Sequence, residues 1–349
     1  MDMHDVLVSV MKEAGRAVLA TIICVDGHSY RKAGAAMLFQ LGNEQIGSLS
    51  PGCLENDLLE RAERVWESGQ FERIDYNLKQ GEDVIWGESI GCGGEIRILL
   101  EPVDVRLRAI LLKIKERNDM GTPVRLTRSW EADEMSYTLH DDIQDGTGNF
   151  IMQEADQKRL SIQISPRPRL VLFGAGKDAD AIYGLVRHIG FQVVVTDWRS
   201  SLCTQERYPE ADCIVGSPEQ IVEQLSFRTN DYLIVCSHHL QQDKEMIRLA
   251  LPLQLVYIGI MGSKQRIRTL FETFLIPSNV RAPIGLSIGA DGPNEIAVSV
   301  AAELIAIRAG HEQRSQKERI KDGYFSPLFG RRTEQANGGS QAISRAGEK

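Results

Sequence analysis

Several short stretches of this chain carry residue types whose chemistry depends on spacing. Gly174-Ala175-Gly176 followed by Ala179 has the order G-x-G-x-x-A. In that order the first glycine allows a tight turn, the second lets backbone approach a pyrophosphate, and a small third residue lets a helix pack close to a strand. Asp197 stands 23 residues after Gly174, where an acid can accept hydrogen bonds from a ribose. Cys53 in Ser50-Pro51-Gly52-Cys53-Leu54 and Cys92 in Gly91-Cys92-Gly93-Gly94 are thiols flanked by glycine. Each suits a nucleophile or a soft ligand, and each equally suits a small buried residue in a turn. Ser29 and Arg31, with Tyr30 and Lys32, lie in the glycine-bounded loop from Gly27 to Gly34. These parts suit a phosphate or carboxylate, or simply a solvated hairpin connection. His238 stands where a side chain can donate to an anion or shuttle a proton, the alternative being a structural histidine. Gly262-Ser263-Lys264 ahead of a helix has the parts of a second anion cradle.

The elements that position these groups are readable from apolar spacing. Residues 170–173 (LVLF) suit a buried parallel strand. Ala181, Ile182, Leu185, Val186 and Ile189 recur at helical spacing, Gly190 caps that helix, and 191–195 reads as a second buried strand ending at Thr196-Asp197. The result is a β-α-β unit of Rossmann type, whether or not a nucleotide occupies it. Further strands are expected at 211–215, 231–236 and 255–258, with helices from Ser217 to 225, over 244–250, from 264 to about 274, and over 296–309. Asp243 reads as the cap of the 244–250 helix. Trp198-Arg199 opens a loop that suits an adenosine.

Upstream, the pattern predicts helices over 6–14, 55–68 and 107–117, and strands over 18–25, 36–39, 95–100, 123–126 and 134–139. Leu54, Leu58, Leu59, Ala62, Val65 and Trp66 form the apolar face of the second helix, so Cys53 falls at or just before its N-terminus, where the helix dipole favours an anion. Ser165-Pro166-Arg167-Pro168 is a stiff connector, which places a domain boundary near 160–168. The expected fold is α/β: a Rossmann-like parallel sheet with helices on both faces over 161–330, preceded by a smaller mixed α+β domain over 1–160 that carries the Gly-Cys loops. The polar, aperiodic tail 331–349 reads as disordered.

Composition narrows the partners. The chain has 349 residues, 42% hydrophobic and 25% charged, with a formal net charge of −8. That balance is ordinary for a soluble protein and argues against nucleic acid or an anionic membrane as partner. The first residues, MDMHDVLVSVMKEAG, carry acids where a secretory signal carries Lys or Arg, and no run reaches transmembrane length. Six cysteines without a CxxC pair fit a reducing, cytoplasmic setting rather than a disulfide framework.

With both halves read, the chain resembles the XdhC/CoxI family over roughly residues 7–310. The matching pieces are LATIICVDGHSYRKAGAAM, GSLSPGCLE and GCGGEIRILLEPV, then LVLFGAGKDADAI, VVVTDWR, VCSHH with Asp243, YIGIMGSK and PIGLSIGADGPNEIAVSVAAEL. The resemblance implies an accessory protein for maturation of xanthine dehydrogenase and related molybdenum hydroxylases. Such a protein binds molybdenum cofactor transiently, supports its sulfuration by a cysteine desulfurase, and passes it to the apo-hydroxylase; a homodimer is implied as well. On that reading Cys53 and Cys92 are the soft ligands or sulfur-handling groups for molybdenum. Ser29, Arg31 and the glycine loops, Gly52 and Gly93 among them, would hold the pterin phosphate. The Rossmann half would hold a nucleotide-like moiety: a dinucleotide form of the cofactor, NAD(P) or another nucleotide.

Three departures from the family pattern stand out. Pro51 replaces the first glycine of Ser-Gly-Gly-Cys and removes an N–H donor, Lys177 replaces a histidine, and His239 stands where aspartate is common. Two other function classes fit the Rossmann unit: an NAD(P)-dependent oxidoreductase using His238 as acid/base, and a nucleotide-sensing scaffold without cofactor chemistry.

Overall fold

The computed structural model describes residues 2–12, 15–42, 44–77, 94–131, 134–141, 151–153, 159–272 and 275–321. Cys92, Gly93 and the tail 331–349 lie outside them.

The N-terminal half runs α1 (Asp2–Lys12), β1 (Ala17–Asp26), β2 (Ala36–Gln40), β3 (Gln45–Gly47), α2 (Glu55–Ser68), β4 (Glu72–Asn77), β5 (Glu95–Pro102) and α3 (Val105–Asp119). Its strands form one antiparallel sheet in the order β3-β2-β1-β5-β4. β1 is central, and AVLATIICVD is buried along most of its length, because both faces of the sheet are covered. On one face Val18, Ala20, Ile22, Phe39 and Ile98 pack against Leu54, Leu58, Ala62 and Val65 of α2 and its lead-in. On the other, Leu19, Ile23, Leu38 and Leu99 meet α1 and α3. A second antiparallel sheet shares that cluster: β6 (Val124–Glu131), β7 (Glu134–His140), β8 (Ile151–Gln153) and β9 (Arg159–Ile164), in the order β7-β6-β9-β8. Between the sheets Arg128 donates through Nε to both oxygens of Glu101, at 2.8 and 2.9 Å, with both side chains fully buried.

The C-terminal half continues β10 (Arg169–Phe173), α4 (Lys177–His188), β11 (Gln192–Asp197), β12 (Asp212–Val215), α5 (Pro218–Leu225), β13 (Tyr232–Val235), α6 (Leu240–Ala250), β14 (Tyr257–Ile260), α7 (Lys264–Leu270), β15 (Val280–Arg281) and α8 (Gly292–Lys321). All these strands pair in parallel, in the order β12-β11-β10-β13-β14-β15. This is the doubly wound order, with α4 and α8 on one face and α5, α6 and α7 on the other. The order reverses between β10 and β13, which opens a crevice at their carboxyl ends. The amino edge of the sheet is covered by the N-terminal half: Arg167 pairs with Asp5 of α1, and His4, Asn118, Phe191 and Gln192 line a cleft of about 560 Å³ there.

The parallel sheet with helices on both faces agrees with the sequence reading, and the differences are local. The helix expected from 264 to about 274 stops at Leu270, whereas the one expected over 296–309 begins at Gly292 and runs to Lys321. The strands β3, β4, β8, β9 and β15 have no counterpart among the strands that apolar spacing predicts. Among the described residues no helix is long and apolar enough to cross a membrane.

Candidate functional site

The crevice between β10 and β13 gathers the residues of the glycine motif. Gly174 has φ +113°, and a Cβ there would stand 2.3 Å from Ser237 Cα and 2.4 Å from Ser237 N. The first glycine is thus demanded by the backbone leaving β13 as well as by its own turn. Gly176 is different: a Cβ there would meet nothing within 4 Å. It caps α4 with φ −84° and without a side-chain hydrogen bond, and the space beside it at the start of that helix is open. Open space beside the second glycine is what close backbone approach to a pyrophosphate requires. Ala179 is fully buried in the α4 face of the sheet, as a small third residue requires.

Asp197 ends β11 with its side chain fully buried. Its Oδ2 accepts from Ala175 N at 2.7 Å and Arg199 Nη2 at 2.8 Å, and its Oδ1 from Arg199 N at 2.8 Å and Nε at 2.9 Å. Burial alone would raise this carboxyl; the Arg199 guanidinium and the two backbone N–H groups hold it below the usual range. The Arg199 guanidinium lies over the Trp198 ring, 4.5 Å from its centroid. Rather than facing a ribose, Asp197 ties the glycine loop to the loop after β11. Arg207 adds to that tie, donating to Ala175 O at 2.9 Å and to Asp180 at 2.7 Å.

His238 follows β13 in the left-handed region, φ +61°, which a residue with a side chain adopts at a cost of about 1–2 kcal/mol. Its Nε2 lies 2.7 Å from Oδ2 of Asp178 in the first turn of α4, and half of its side chain is exposed. The pair spans the crevice, an imidazole oriented by a carboxylate beside the Gly176 opening. Asp178 carries only the signal of an acid at a helix start, which sequence reads as a dipole complement, so spacing does not announce its pairing.

Asp243 is not the cap of α6. His239 is, accepting from Gln242 N at 3.3 Å. Asp243 lies one turn further on, fully buried, where it accepts from Ser237 Oγ and, at 2.7 Å, from Arg266 Nη2. Ser263 is spent capping α7, accepting from Arg266 N at 3.2 Å, while Lys264 is exposed as the first residue of that helix. Gly262 lies close to the Arg266 side chain, where a Cβ would come within 2.8 Å of Cδ. The 262–264 stretch therefore positions Arg266 beneath the crevice.

Cys53, Ser29 and Arg31 lie in loops of the N-terminal half. The loop with Ser29 and Arg31 joins β1 to β2 and is anchored by Gly34 N donating to Ile22 O at 2.8 Å. Ser29 and Arg31 are half-buried there, and desolvation lowers the Arg31 pKa. At Gly94 a Cβ would stand 2.2 Å from His28 O, so the end of the glycine run containing Cys92 presses on this loop. Cys53, half-buried and unbridged, packs at the rim of the α2-face cluster together with Ala33 and Ala35. These pieces thus border one apolar cluster, whereas Gly174, Gly176, Asp197, His238 and Gly262 gather at the carboxyl edge of the parallel sheet.

The turn before α2 is filled by its own side chains. Glu55 accepts from Ser50 N at 2.9 Å, from Ser50 Oγ and from Leu54 N at 3.2 Å, and Ser50 Oγ accepts from Gly52 N at 3.2 Å. A carboxylate therefore occupies the nest that a phosphate would take. Gly52 supplies the positive φ, +117°, that the turn after Pro51 needs. Among the described residues no group of three or more His, Cys, Asp or Glu is placed to hold a metal ion.

Comparison with known proteins agrees with this architecture. Residues 170–304 match the XdhC Rossmann domain, and residues 11–77 match the XdhC and CoxI family. A Bacillus subtilis protein named as a probable xanthine dehydrogenase subunit is 36% identical over 320 residues, 87% of this chain and 97% of that protein. The molybdenum cofactor insertion chaperone PaoD of Escherichia coli is 24% identical over 86% of each chain. A crystal structure described as a xanthine dehydrogenase from Bacillus halodurans superposes with a TM-score of 0.80 at 35% identity, covering 90% of this chain and 98% of that one. Two halves, two matching families of domain and a relative aligned from end to end lead to one assignment: the chain belongs to the XdhC and CoxI family.

Proposed function

We propose that this protein serves the maturation of a molybdenum hydroxylase of xanthine dehydrogenase type. It binds molybdenum cofactor as cargo, holds it while a cysteine desulfurase supplies sulfur, and passes it to the apo-hydroxylase, acting as a homodimer. The names of two relatives support the reading, one a probable xanthine dehydrogenase subunit and one a molybdenum cofactor insertion chaperone. The structural observation that carries it is the half-buried Cys53 thiol at the rim of the cluster that the Ser29–Arg31 loop also borders. A soft thiolate suits molybdenum, and a guanidinium suits the phosphate of the pterin. Cys92, two residues before the Gly94 that presses on that loop, is proposed as the second thiol.

The Rossmann half holds a nucleotide at the Gly176 opening in this reading. The oriented His238–Asp178 pair beside that opening favours a second reading, an oxidoreductase that uses NAD(P), which substrate-dependent turnover of bound nicotinamide would establish.

The test is anaerobic incubation with molybdenum cofactor, gel filtration, and assay of retained molybdenum and pterin. Retention by the wild type that falls in Cys53→Ala and in Cys92→Ala is expected. A wild type that retains neither molybdenum nor pterin removes the reading.

A further inference from the structure

The carboxylate that ends β11 in a Rossmann unit ordinarily chooses between nucleotides, because a ribose diol needs acceptors and a phosphate needs donors. A carboxylate offers about four lone-pair positions. In Asp197 four donors of this chain fill them: Ala175 N and three nitrogens of Arg199. No acceptor is left for a diol without breaking the tie that holds the glycine loop.

The same bonds aim a cation. Nε and Nη2 of Arg199 are held on Asp197, its plane is stacked on Trp198, and its side chain is 38% exposed, with Nη1 making no hydrogen bond to the described residues. A guanidinium fixed on two sides and open on a third is pre-organised for a phosphate oxygen. Of the two acids in the first turn of α4, Asp180 is paired with the Arg207 guanidinium and Asp178 is hydrogen-bonded to the His238 imidazole. Asp180 therefore sets no unpaired negative charge against a phosphate beside that helix.

We propose that the Rossmann half takes an adenine dinucleotide carrying a 2′-phosphate, with Arg199 as the specificity-determining residue and Asp197 as the positioning residue that holds it. The inference rests on the reading that a nucleotide binds at the Gly176 opening, and it names the class.

Calorimetric titration of the full chain with NADPH and with NADH tests it. The expected result is NADPH binding at least about tenfold tighter than NADH, the ratio expected of one charge-assisted hydrogen-bonded contact. In Arg199→Ala the ratio falls toward one, chiefly through weaker NADPH binding. Because that variant strips Asp197 of its guanidinium, Arg199→Lys is measured beside it: it keeps the charge, loses the fork, and is expected to show an intermediate ratio with an unchanged far-ultraviolet spectrum. Competition by 2′-AMP but not by 5′-AMP is expected as well. Equal affinities, or tighter NADH, overturn the inference and leave the nucleotide reading standing. Absence of binding by either dinucleotide overturns the inference, and failure of a cofactor dinucleotide and of ATP to bind as well overturns the nucleotide reading.

Discussion

Replacing the two glycines of the β10–α4 loop by alanine separates a structural glycine from a ligand glycine. At Gly174 the new Cβ meets backbone, Ser237 Cα at 2.3 Å and Ser237 N at 2.4 Å, so no rotamer change relieves it. The position also has φ +113°, which costs an alanine about 1–3 kcal/mol. Overpacking adds about 1–3 kcal/mol, and the stiffer unfolded chain returns about 0.4–1 kcal/mol. Gly174→Ala is therefore expected to destabilise the Rossmann half by about 1–6 kcal/mol. At Gly176 nothing lies within 4 Å and φ is −84°, so the methyl group meets no obstacle. The weaker N-cap costs a few tenths to about 1 kcal/mol, partly offset by the entropy gain, and stability should stay within about 1 kcal/mol of wild type. The methyl does occupy the space proposed for a pyrophosphate, so nucleotide affinity should fall. Urea unfolding of a single-tryptophan variant retaining Trp198, which packs 6.0 Å from Phe173 at the end of β10, reads the first quantity; titration with NADPH reads the second. Gly174→Ala within about 1 kcal/mol of wild type, or Gly176→Ala as costly as Gly174→Ala, would refute the distinction.

Two further predictions concern charge. Glu101→Gln leaves the fully buried Arg128 guanidinium without its counter-ion and should cost about 3–5 kcal/mol in urea unfolding, whereas Glu101→Leu with Arg128→Met should return to near wild type. A pair replacement as costly as the single change would show that the contact is needed for more than charge balance. Glu55 is pushed up by burial and pulled down further by its bonds from Ser50 and from the Glu55 and Leu54 N–H groups, so its carboxyl sits below the usual range. Its contribution is present above the unfolded value of about 4.3 and is lost as pH falls through the lower folded value. Unfolding curves between about pH 5 and pH 3 should therefore fall less steeply in Glu55→Gln than in wild type; identical pH slopes would contradict this.

Local order was legible and long-range pairing was not. The β10–α4–β11 unit follows from LVLF, the glycine triplet and helical spacing, all within thirty residues of one another. β4 (ERIDYN) escaped because only Ile74 and Tyr76 face the core, and alternating charges on the other face hide a six-residue strand. Asp243 has the sequence context of a cap, yet its partner Arg266 lies 23 residues away on another helix. The His238–Asp178 and Asp197–Arg199 contacts show the same division. The first joins residues 60 apart and has no local signal; the second joins residues two apart but turns an expected ribose acceptor inward. At the N-terminal loops the glycines are readable, whereas the filling of the turn before α2 by Glu55 depends on a rotamer that spacing does not encode.

The proposed hand-over of molybdenum cofactor from this chain to a partner can be followed as cofactor transfer. The protein, loaded anaerobically with molybdenum cofactor and treated with a cysteine desulfurase and cysteine, is mixed with an apo-hydroxylase of xanthine dehydrogenase type, and the appearance of hydroxylase activity is followed. Faster and more complete activation than with free cofactor at equal molybdenum is expected, with loss of that advantage in Cys53→Ala. Activation no better than with free cofactor, or an undiminished advantage in the variant, would contradict it.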